Sequence, residues 1–293
     1  MRIRTGIMLA LVAATLWGVA GVLAAAVFAE IPVARVAEVR ALAGTLAFVP
    51  YVLWKREFPS RRTWPYVVAF GVSLATVTYT FYLAIDLIGV GPGATIQFIA
   101  PVYLLAWNRW IRGDAVPAVA WSAAGAAIVG VGLVARAWEG AALNLPGLAA
   151  GLISSVAFAF YLALAERLSK DLSSPGIMAY GFGVAAVIWV VAVPIWSFPT
   201  NLSTTAWWQL GAVVVIGTIV PFALEIKALG LAPAPLIGLT ATWEPLVATV
   251  LAWGFLAQRL TIGQIVGAVM ILGAISLIQR NAGEHQPELI PAA

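Results

Sequence analysis

Ten apolar segments, each about as long as a membrane-spanning helix, occupy most of this 293-residue sequence. A helix needs about 20 apolar residues to cross the hydrocarbon core, since it rises only ~1.5 Å per residue. Ten such helices leave about 90 residues for all loops and tails, so no large soluble domain fits. The sequence therefore predicts an all-α membrane protein with ten transmembrane helices. The segments are 6–28, 33–54, 64–88, 92–111, 117–137, 146–168, 175–197, 206–229, 233–256 and 262–279.

The composition supports a membrane protein and excludes several kinds of site. Apolar residues of the set AVILMFWYC make up 62% of the chain, against ~45–50% in globular proteins. The chain has no Cys, and its single His, His285, lies in the polar C-terminal tail. Thiolate metal sites, disulfides and a Cys nucleophile are thereby excluded. We expect no metal, no cofactor and no enzymatic activity; an intramembrane enzyme using only carboxylates is a distant alternative.

The Lys and Arg residues are distributed unevenly among the loops. With the N-terminus in the cytoplasm, the inward side carries Arg2, Arg4, Lys55, Arg56, Arg61, Arg62, Arg109, Arg112, Arg167 and Lys170, and the outward side Arg136 and Arg259. Basic residues accumulate on the cytoplasmic side of membrane proteins. We interpret them as topology signals and not as a nucleic-acid surface. The protein is expected in the inner (plasma) membrane, with both termini in the cytoplasm.

A shift of 144 residues aligns the two halves of the chain. It pairs Pro50 with Pro194, Trp64 with Trp208 and Pro101 with Pro245. The basic inward loops of the first half align with neutral loops of the second, as expected if the second half enters the membrane from the opposite side. Inverted repeats are typical of secondary transporters, whose substrate site lies near the midplane. The sequence predicts inverted five-helix repeats over residues 1–140 and 141–281, followed by a polar cytoplasmic tail, 282–293.

Several short motifs resemble those of a known transporter family. They are Leu16-Trp17-Gly18, Gly91-Pro92-Gly93-Ala94, Pro101-Val102, Gly113-Asp114, Trp243-Glu244-Pro245-Leu246 and Ala257-Gln258. The chain resembles the EamA family of the drug/metabolite transporter superfamily and, within it, the YddG-type exporters of aromatic amino acids. Gly-Glu commonly follows the fourth and ninth helices in that family, whereas this sequence has Gly-Asp and Ala-Gln there. The resemblance implies ten helices in two inverted bundles, a central cavity and export from the cytoplasm.

Polar and aromatic residues inside the predicted helices are the candidate substrate-binding residues, because a charge in hydrocarbon is costly unless it faces a cavity or a partner. They are Trp17, Arg40, Tyr79, Tyr82, Gln97, Trp243 and Glu244. Arg40 would bind a carboxylate through charge-assisted hydrogen bonds, and Glu244 an ammonium group. In the alternative interpretation the rings pack between helices, and Arg40 and Glu244 pair with each other or with Glu38.

Four further features, Lys227, two prolines and a glycine pattern, have two interpretations each. Lys227 is a candidate gate residue or a lysine that extends to the membrane surface. Pro101 and Pro245 interrupt their helices at equivalent positions; each frees a carbonyl for a ligand or only bends the helix. The pattern Gly263-x-x-x-Gly267 permits close packing of helices, within the fold or in a dimer. We expect a monomer, with a dimer as the alternative.

The sequence thus predicts a secondary transporter that exports small metabolites, in particular aromatic and other apolar amino acids, by alternating access. Its expected partners are a small-molecule substrate and the lipid bilayer. An exchanger of phosphorylated metabolites or nucleotide sugars, from the same superfamily, is the alternative. Such an exchanger would need clustered Lys and Arg in its cavity, and only Arg40 and Lys227 are available.

Overall fold

The structure is a computed structural model that describes residues 2–113, 118–134, 144–231, 237, 240–241 and 243–284. Within these ranges the regular structure is helical throughout, as predicted, and no strand occurs. The α-helices are α1 (Arg2–Val27), α2 (Val33–Lys55), α3 (Trp64–Ile88), α4 (Val90–Gln97), α5 (Ala100–Trp107), α6 (Ala118–Val134), α7 (Leu145–Leu168), α8 (Ser174–Ala192), α9 (Thr204–Val214), α10 (Val220–Leu229), α11 (Trp243–Phe255) and α12 (Ile262–Glu284). A π-helical turn, Asn108–Arg112, follows α5, a 3₁₀ turn, Ile195–Ser197, follows α8, and a second π-helical turn, Val215–Ile219, joins α9 to α10.

Seven helical stretches in the described ranges are long and apolar enough to cross a membrane. They are Arg2–Val27, Val33–Lys55, Trp64–Ile88, Val90–Ile111, Leu145–Leu168, Ser174–Ala192 and Thr204–Ala228. Two shorter apolar helices are Ala118–Val134 and Ile262–Ala274. The chain is therefore a multi-pass membrane protein. The predicted segment 233–256 lies partly outside the described residues. Asp114, His285 and most of the polar tail lie outside them entirely.

Local sequence signals define where several helices begin. Pro65, Pro146 and Pro175 occupy the first turns of α3, α7 and α8, where a missing N–H breaks no helical hydrogen bond. Asn144 caps α7, because its Oδ1 accepts from the backbone N–H of Gly147 at 2.9 Å. Such caps satisfy amide groups that have no partner inside the helix.

The 144-residue shift relates not only the helices of the two halves but also their packing partners. In that shift α1 corresponds to α7, and α3 corresponds to α9 and α10 together. Helix α1 packs against α9 and α10, and its counterpart α7 packs against α3. Helices α2 and α8 are counterparts that pack against each other, and so do α6 and α12. The packing partners of the helices in one half are thus the counterparts of those in the other half.

Glycines allow α6 and α12 to approach closely. A Cβ atom added to Gly130 would lie 2.7 Å from the carbonyl oxygen of Gly267, and one added to Gly267 would lie 2.6 Å from the carbonyl oxygen of Gly130. Neither position accepts a side chain without moving backbone, because both contacts are far below van der Waals distance. Gly267 of the Gly263-x-x-x-Gly267 pattern therefore packs within the fold.

Two glutamates of the first half cap helices of the second half. The Glu30 carboxylate accepts from the backbone N–H of Ser203 at 2.8 Å and from its hydroxyl at 2.7 Å, at the start of α9. These hydrogen bonds lower the pKa of Glu30. Glu57 likewise accepts from the N–H and hydroxyl of Ser173 at the start of α8. Carboxylates are favoured at helix N-termini by the exposed amide groups and the helix dipole, so these contacts hold the two halves together.

Candidate functional site

A cavity of about 120 Å³ lies between the two halves and is lined by residues from both. This volume is many times the ~10–15 Å³ that one water molecule requires. Its walls are mostly apolar and aromatic, with a few polar groups. The polar and charged lining residues are Arg40, Thr78, Tyr82, Gln97, Tyr161, Glu225 and Glu244, and the aromatic ones include Trp17, Phe81, Phe98, Phe158 and Phe222.

At the π-helical turn between α9 and α10, the backbone carbonyl of Gly217 lies in the cavity lining and lacks the N–H donor that a regular helix would give it. Pro221 has no N–H, so it cannot donate to the carbonyl oxygen of Gly217, four residues earlier, as a helix would require. That oxygen instead accepts from Arg40 Nη2 at 2.7 Å and from Trp17 Nε1 at 3.1 Å. Irregular helical turns of this kind are frequent at functional sites.

Arg40 is held by neutral acceptors. Besides Gly217, it donates from Nε to Thr218 Oγ1 at 2.7 Å and from Nη1 to the Tyr82 hydroxyl at 2.6 Å. Its guanidinium lies 5.0 Å from the centre of the Tyr82 ring. A guanidinium has five N–H groups, and these three bonds use three of them. Arg40 is therefore oriented by the fold while keeping N–H groups for a ligand.

The alternative interpretation, in which Arg40 pairs with Glu38, is wrong. Glu38 is buried and pairs with Arg35, whose Nη1 lies 2.6 Å from Glu38 Oε2. Arg35 also donates to the carbonyl oxygens of Val193 and Pro194 at 2.9 and 3.0 Å, at the end of α8. Arg35 and Glu38 thus form a structural ion pair within α2, and Arg35 joins this pair to the end of α8, away from the cavity lining.

Two carboxylates face the same cavity as Arg40. Glu244, in the first turn of α11, is only 8% exposed, and Glu225, in α10, is partly buried. Neither makes a side-chain hydrogen bond or ion pair to any other residue that the structure describes. Trp17 and Phe222 pack edge to face beside them, with ring centroids 5.3 Å apart. A buried carboxylate without a partner is costly, so this arrangement favours binding of a cationic group.

The structure separates the predicted site residues into two sets. Trp17, Arg40, Tyr82, Gln97 and Glu244 line the cavity. The remaining side chains lie elsewhere: Tyr79 packs on Trp189 with ring centroids 5.3 Å apart, Trp243 is 44% exposed and donates to Thr15 Oγ1 at 3.1 Å, and Lys227 is exposed.

The two prolines predicted to interrupt helices each leave a carbonyl without a helical donor, and both carbonyls belong to residues that line the cavity. Helix α4 ends at Gln97 and α5 begins at Ala100, one residue before Pro101. The carbonyl that Pro101 leaves without a helical donor is that of Gln97, and the corresponding one for Pro245 is that of Ala241. Gln97 and Ala241 are equivalent under the 144-residue shift, and both line the cavity.

Glu225 is the main site residue that the sequence analysis missed. It lies inside the apolar segment 206–229, so the rule that selected Arg40 and Glu244 would also have selected it.

The Gln258 position, where the family commonly has Glu, has a structural role here: Gln258 Oε1 accepts from the backbone N–H of Val90 at 2.9 Å. It thereby satisfies an amide at the start of α4.

Comparison with known proteins agrees with this architecture. The model of the EamA-like transporter family matches residues 4–136 and again residues 145–280. The chain belongs to this family. The resemblance to the EamA family is thereby confirmed, and the membership identifies a transporter and not an enzyme.

The chain is similar to transporters of Escherichia coli and Salmonella typhimurium. The chain is 27% identical to the threonine/homoserine exporter RhtA of Escherichia coli K12 over 257 residues, covering 86% of this chain and 83% of that protein. It is 24% identical over 289 residues to the uncharacterized inner membrane transporter YicL of Salmonella typhimurium, covering 95% and 96%. A solved crystal structure has the same fold, with a TM-score of 0.66 at 14% identity and coverage of 96% and 98%. These relatives give no support to YddG-type aromatic specificity.

Proposed function

We propose that this protein is a secondary transporter that exports amino acids from the cytoplasm by alternating access. The observation that carries the proposal is the placement of one cation, Arg40, and two carboxylates, Glu225 and Glu244, around a single cavity. An amino acid is a zwitterion, so a site that offers a cation to the carboxylate and an anion to the ammonium group is complementary to it. The similarity to an exporter of threonine and homoserine supports the same substrate class.

Arg40 is the proposed carboxylate site. Its contacts with Gly217, Thr218 and Tyr82 fix the guanidinium while leaving N–H groups available. Hydrogen bonds between a guanidinium and a carboxylate are charge-assisted and directional. Glu225 or Glu244 accepts from the substrate ammonium group. The side chain of the substrate then lies among the aromatic lining residues.

The polar part of the lining bears on substrate choice. Gln97 and Thr78 lie in the cavity wall, and Gln97 Oε1 accepts from Ser154 Oγ at 2.8 Å. This contact leaves the Gln97 amide N–H groups to donate to a substrate hydroxyl, which suits threonine and homoserine. The aromatic and apolar amino acids predicted from the sequence suit the ring-lined wall. Transport measured with a panel of amino acids distinguishes hydroxylated substrates from aromatic and apolar ones.

Alternating access in this proposal uses ten helices in two inverted repeats, residues 1–140 and 141–281, with residues 282–293 as a cytoplasmic tail and both termini inside the cell. The exchange of packing partners between α1 and α7 supports the repeat. Inverted repeats allow one bundle to move against the other around a fixed central site. The inner membrane location follows the name of the relative YicL. The protein acts as a monomer.

A phosphorylated-metabolite exchanger is less well supported. Among the residues that the structure describes, Arg40 is the only Lys or Arg in the cavity lining, and Lys227 is exposed. One guanidinium offsets only part of the charge of a phosphate monoester, whereas it matches one amino-acid carboxylate. The two carboxylates in the same lining would also repel a phosphate.

Exchange in proteoliposomes tests the proposal. Vesicles loaded with labelled L-threonine are diluted into unlabelled L-threonine, L-homoserine, L-phenylalanine or a sugar phosphate, and loss of label is measured. Amino acids should accelerate efflux, and analogues that lack either the carboxylate or the ammonium group should not. Acceleration by sugar phosphates alone would contradict the proposal. D-threonine is the control for stereoselective binding as opposed to leakage.

A further inference from the structure

A second cavity lies at the surface of the protein, apart from the central one. Its volume of about 340 Å³ is within the ~300–1,000 Å³ of small-molecule sites. Helix α2 contributes Val49 and Leu53 to its lining, the loop after α2 Phe58, the start of α3 Trp64, and α8 Tyr180. None of the described lining residues is charged. Because Leu53, Phe58 and Trp64 are exposed, this cavity is an open groove, which we call the α2–α8 groove.

The groove extends from the end of α2 toward the middle of the membrane-spanning helices. Val49 lies six residues before Lys55, the last residue of α2, which is about 9 Å along the helix axis. At the wider end, Trp64 packs edge to face on Tyr180 with ring centroids 5.7 Å apart. Trp and Tyr are enriched where the headgroups of a bilayer meet its hydrocarbon. The groove therefore lies at the depth at which a lipid acyl chain begins.

Hydrogen bonds hold the groove in shape. The Tyr180 hydroxyl donates to the backbone carbonyl of Glu57 at 2.7 Å, and the Glu57 carboxylate accepts from the Ser173 hydroxyl at 2.6 Å. Thr63 Oγ1 donates to Asp171 Oδ2 at 3.1 Å. These bonds join the loop between α2 and α3 to the start of α8. A site whose walls are already fixed loses less conformational entropy when a ligand binds.

Positive charge accumulates in the same stretch of chain as the groove lining. The basic residues there are Lys55, Arg56, Arg61 and Arg62. All four are exposed, and none forms an ion pair with another residue that the structure describes. The acidic residue of this stretch, Glu57, is bonded to Ser173. The groove therefore has an apolar interior and a positively charged, unneutralised edge.

These two properties together select one kind of ligand. A free anion would match the basic residues but leave the apolar groove unfilled. A zwitterionic phospholipid would fill the groove but bring no net charge to the basic residues. An anionic phospholipid matches both, because clustered Lys and Arg beside membrane-spanning helices attract anionic headgroups and an acyl chain buries apolar surface.

We propose that the α2–α8 groove is a binding site for an anionic phospholipid. One acyl chain lies along Val49 and Leu53, and the headgroup phosphate is bound by the basic residues of the adjoining loop. In the proposed topology this lipid belongs to the cytoplasmic leaflet. It contacts α2 and α3 of the first half and α8 of the second, so it stabilises the packing of the two halves. The proposal does not depend on which substrate is transported.

Thermal unfolding in mixed micelles measures the binding. Purified protein is titrated with phosphatidylglycerol, and total lipid is kept constant with phosphatidylcholine of the same acyl chains. The unfolding temperature of the wild type should rise with phosphatidylglycerol and level off, because a ligand that binds the folded state stabilises it. Native mass spectrometry of the same samples should show one retained phosphatidylglycerol. Inorganic phosphate alone should produce no rise, since it has no acyl chain.

A double variant tests the charged edge of the groove. Arg61→Gln combined with Arg62→Gln should need about 25-fold more phosphatidylglycerol for half of the rise, since each basic residue near an anionic lipid contributes about a factor of five. Replacing both by Lys should restore binding, because Lys also binds phosphate. Arg2→Gln combined with Arg4→Gln is the matched control: it removes two exposed cations that do not belong to the groove.

A single variant tests the apolar interior. Leu53→Gln places an amide in the groove at an exposed position and should also weaken binding of phosphatidylglycerol. Leu46→Gln is the control, because Leu46 is an exposed residue of the same helix that does not line the groove.

Four results would overturn the proposal. They are an equal rise with phosphatidylcholine alone, a rise with inorganic phosphate, an equal loss in the two pairs of Arg→Gln changes, and an equal loss in Leu53→Gln and Leu46→Gln. The first would leave a groove for any acyl chain, and the second a site for free anions. The third would mean that the whole basic surface attracts anionic lipid without a specific site. The fourth would mean that no chain occupies the groove.

Discussion

Replacing Arg40 by Lys tests how the proposed carboxylate site works. Lys keeps the positive charge but concentrates it on one ammonium group, which cannot reproduce the planar fork of Arg. In the structure the guanidinium donates hydrogen bonds to Gly217, Thr218 and Tyr82 from three separate nitrogens. A single ammonium nitrogen has only three N–H groups, so it cannot donate to all three acceptors and to the substrate at the same time.

The expected loss follows from the hydrogen bonds involved. A hydrogen bond to a charged group contributes about 1.5–3 kcal/mol. Loss of one such bond to the substrate carboxylate raises Kd by about 10- to 150-fold, since 1.4 kcal/mol corresponds to a factor of ten. Each internal bond that Lys cannot replace lowers the free energy of unfolding by up to a similar amount, less where water from the cavity reaches the acceptor.

The assay separates binding from stability. Calorimetric Kd values are measured for L-threonine and for the amine that lacks its carboxylate, and the ratio of the two reports the carboxylate contribution. In Arg40→Lys this ratio should shrink by the same 10- to 150-fold factor. Arg35→Lys is the control, because Arg35 is as buried and as well bonded but lies outside the cavity lining. It should lower the unfolding temperature and leave the ratio unchanged.

One result would refute the role of Arg40. If Arg40→Lys and Arg35→Lys both reduce stability and neither changes the ratio, then Arg40 only supports the junction of α9 and α10, and the substrate carboxylate binds elsewhere. Loss of affinity for threonine and for the amine by the same factor would also refute it, because a general distortion of the cavity weakens both ligands equally.

Two further predictions concern topology and packing. Cysteines introduced at Ser60 and at Asn201, in loops related by the 144-residue shift, should react with a membrane-impermeant reagent from opposite sides, and labelling from one side would contradict the inverted repeat. Gly44→Ala should lower stability by about 1–3 kcal/mol, because the added Cβ would lie 2.5 Å from the Phe182 ring. Gly183→Ala, with no atom within 4 Å, is the control for thermal unfolding. Equal midpoints would mean that α2 and α8 pack less tightly than described.

The helices could be predicted because the signal for each one is local. The length of an apolar run and the proline at its start do not depend on what the helix packs against. Predicted segments 33–54 and 64–88 match Val33–Lys55 and Trp64–Ile88 within a residue at each end. The break between α4 and α5 was also predictable, because Pro101 must leave a carbonyl without its helical donor.

The positions of the aromatic residues were harder to predict, because they depend on which helix lies opposite. Tyr79 and Tyr82 are i,i+3 neighbours, which share a face only approximately, about 60° apart at 100° per residue. That angle places Tyr82 at the cavity and Tyr79 against Trp189 of α8. Trp243 and Glu244 are adjacent in sequence and point about 100° apart, so only Glu244 reaches the cavity.

Arg40 shows how a local signal and a distant contact combine at the site. Pro221 leaves the Gly217 carbonyl without a helical partner, a consequence readable from the sequence alone. Which group satisfies that carbonyl depends on α2 packing beside the π-helical turn, and its donor, Arg40, lies 177 residues away in the chain. The same contact explains how Arg40 can be buried without an ion pair to any residue that the structure describes. The Gly217 carbonyl and the hydroxyl groups of Thr218 and Tyr82 accept its hydrogen bonds, and both carboxylates therefore remain available to other cations in the cavity.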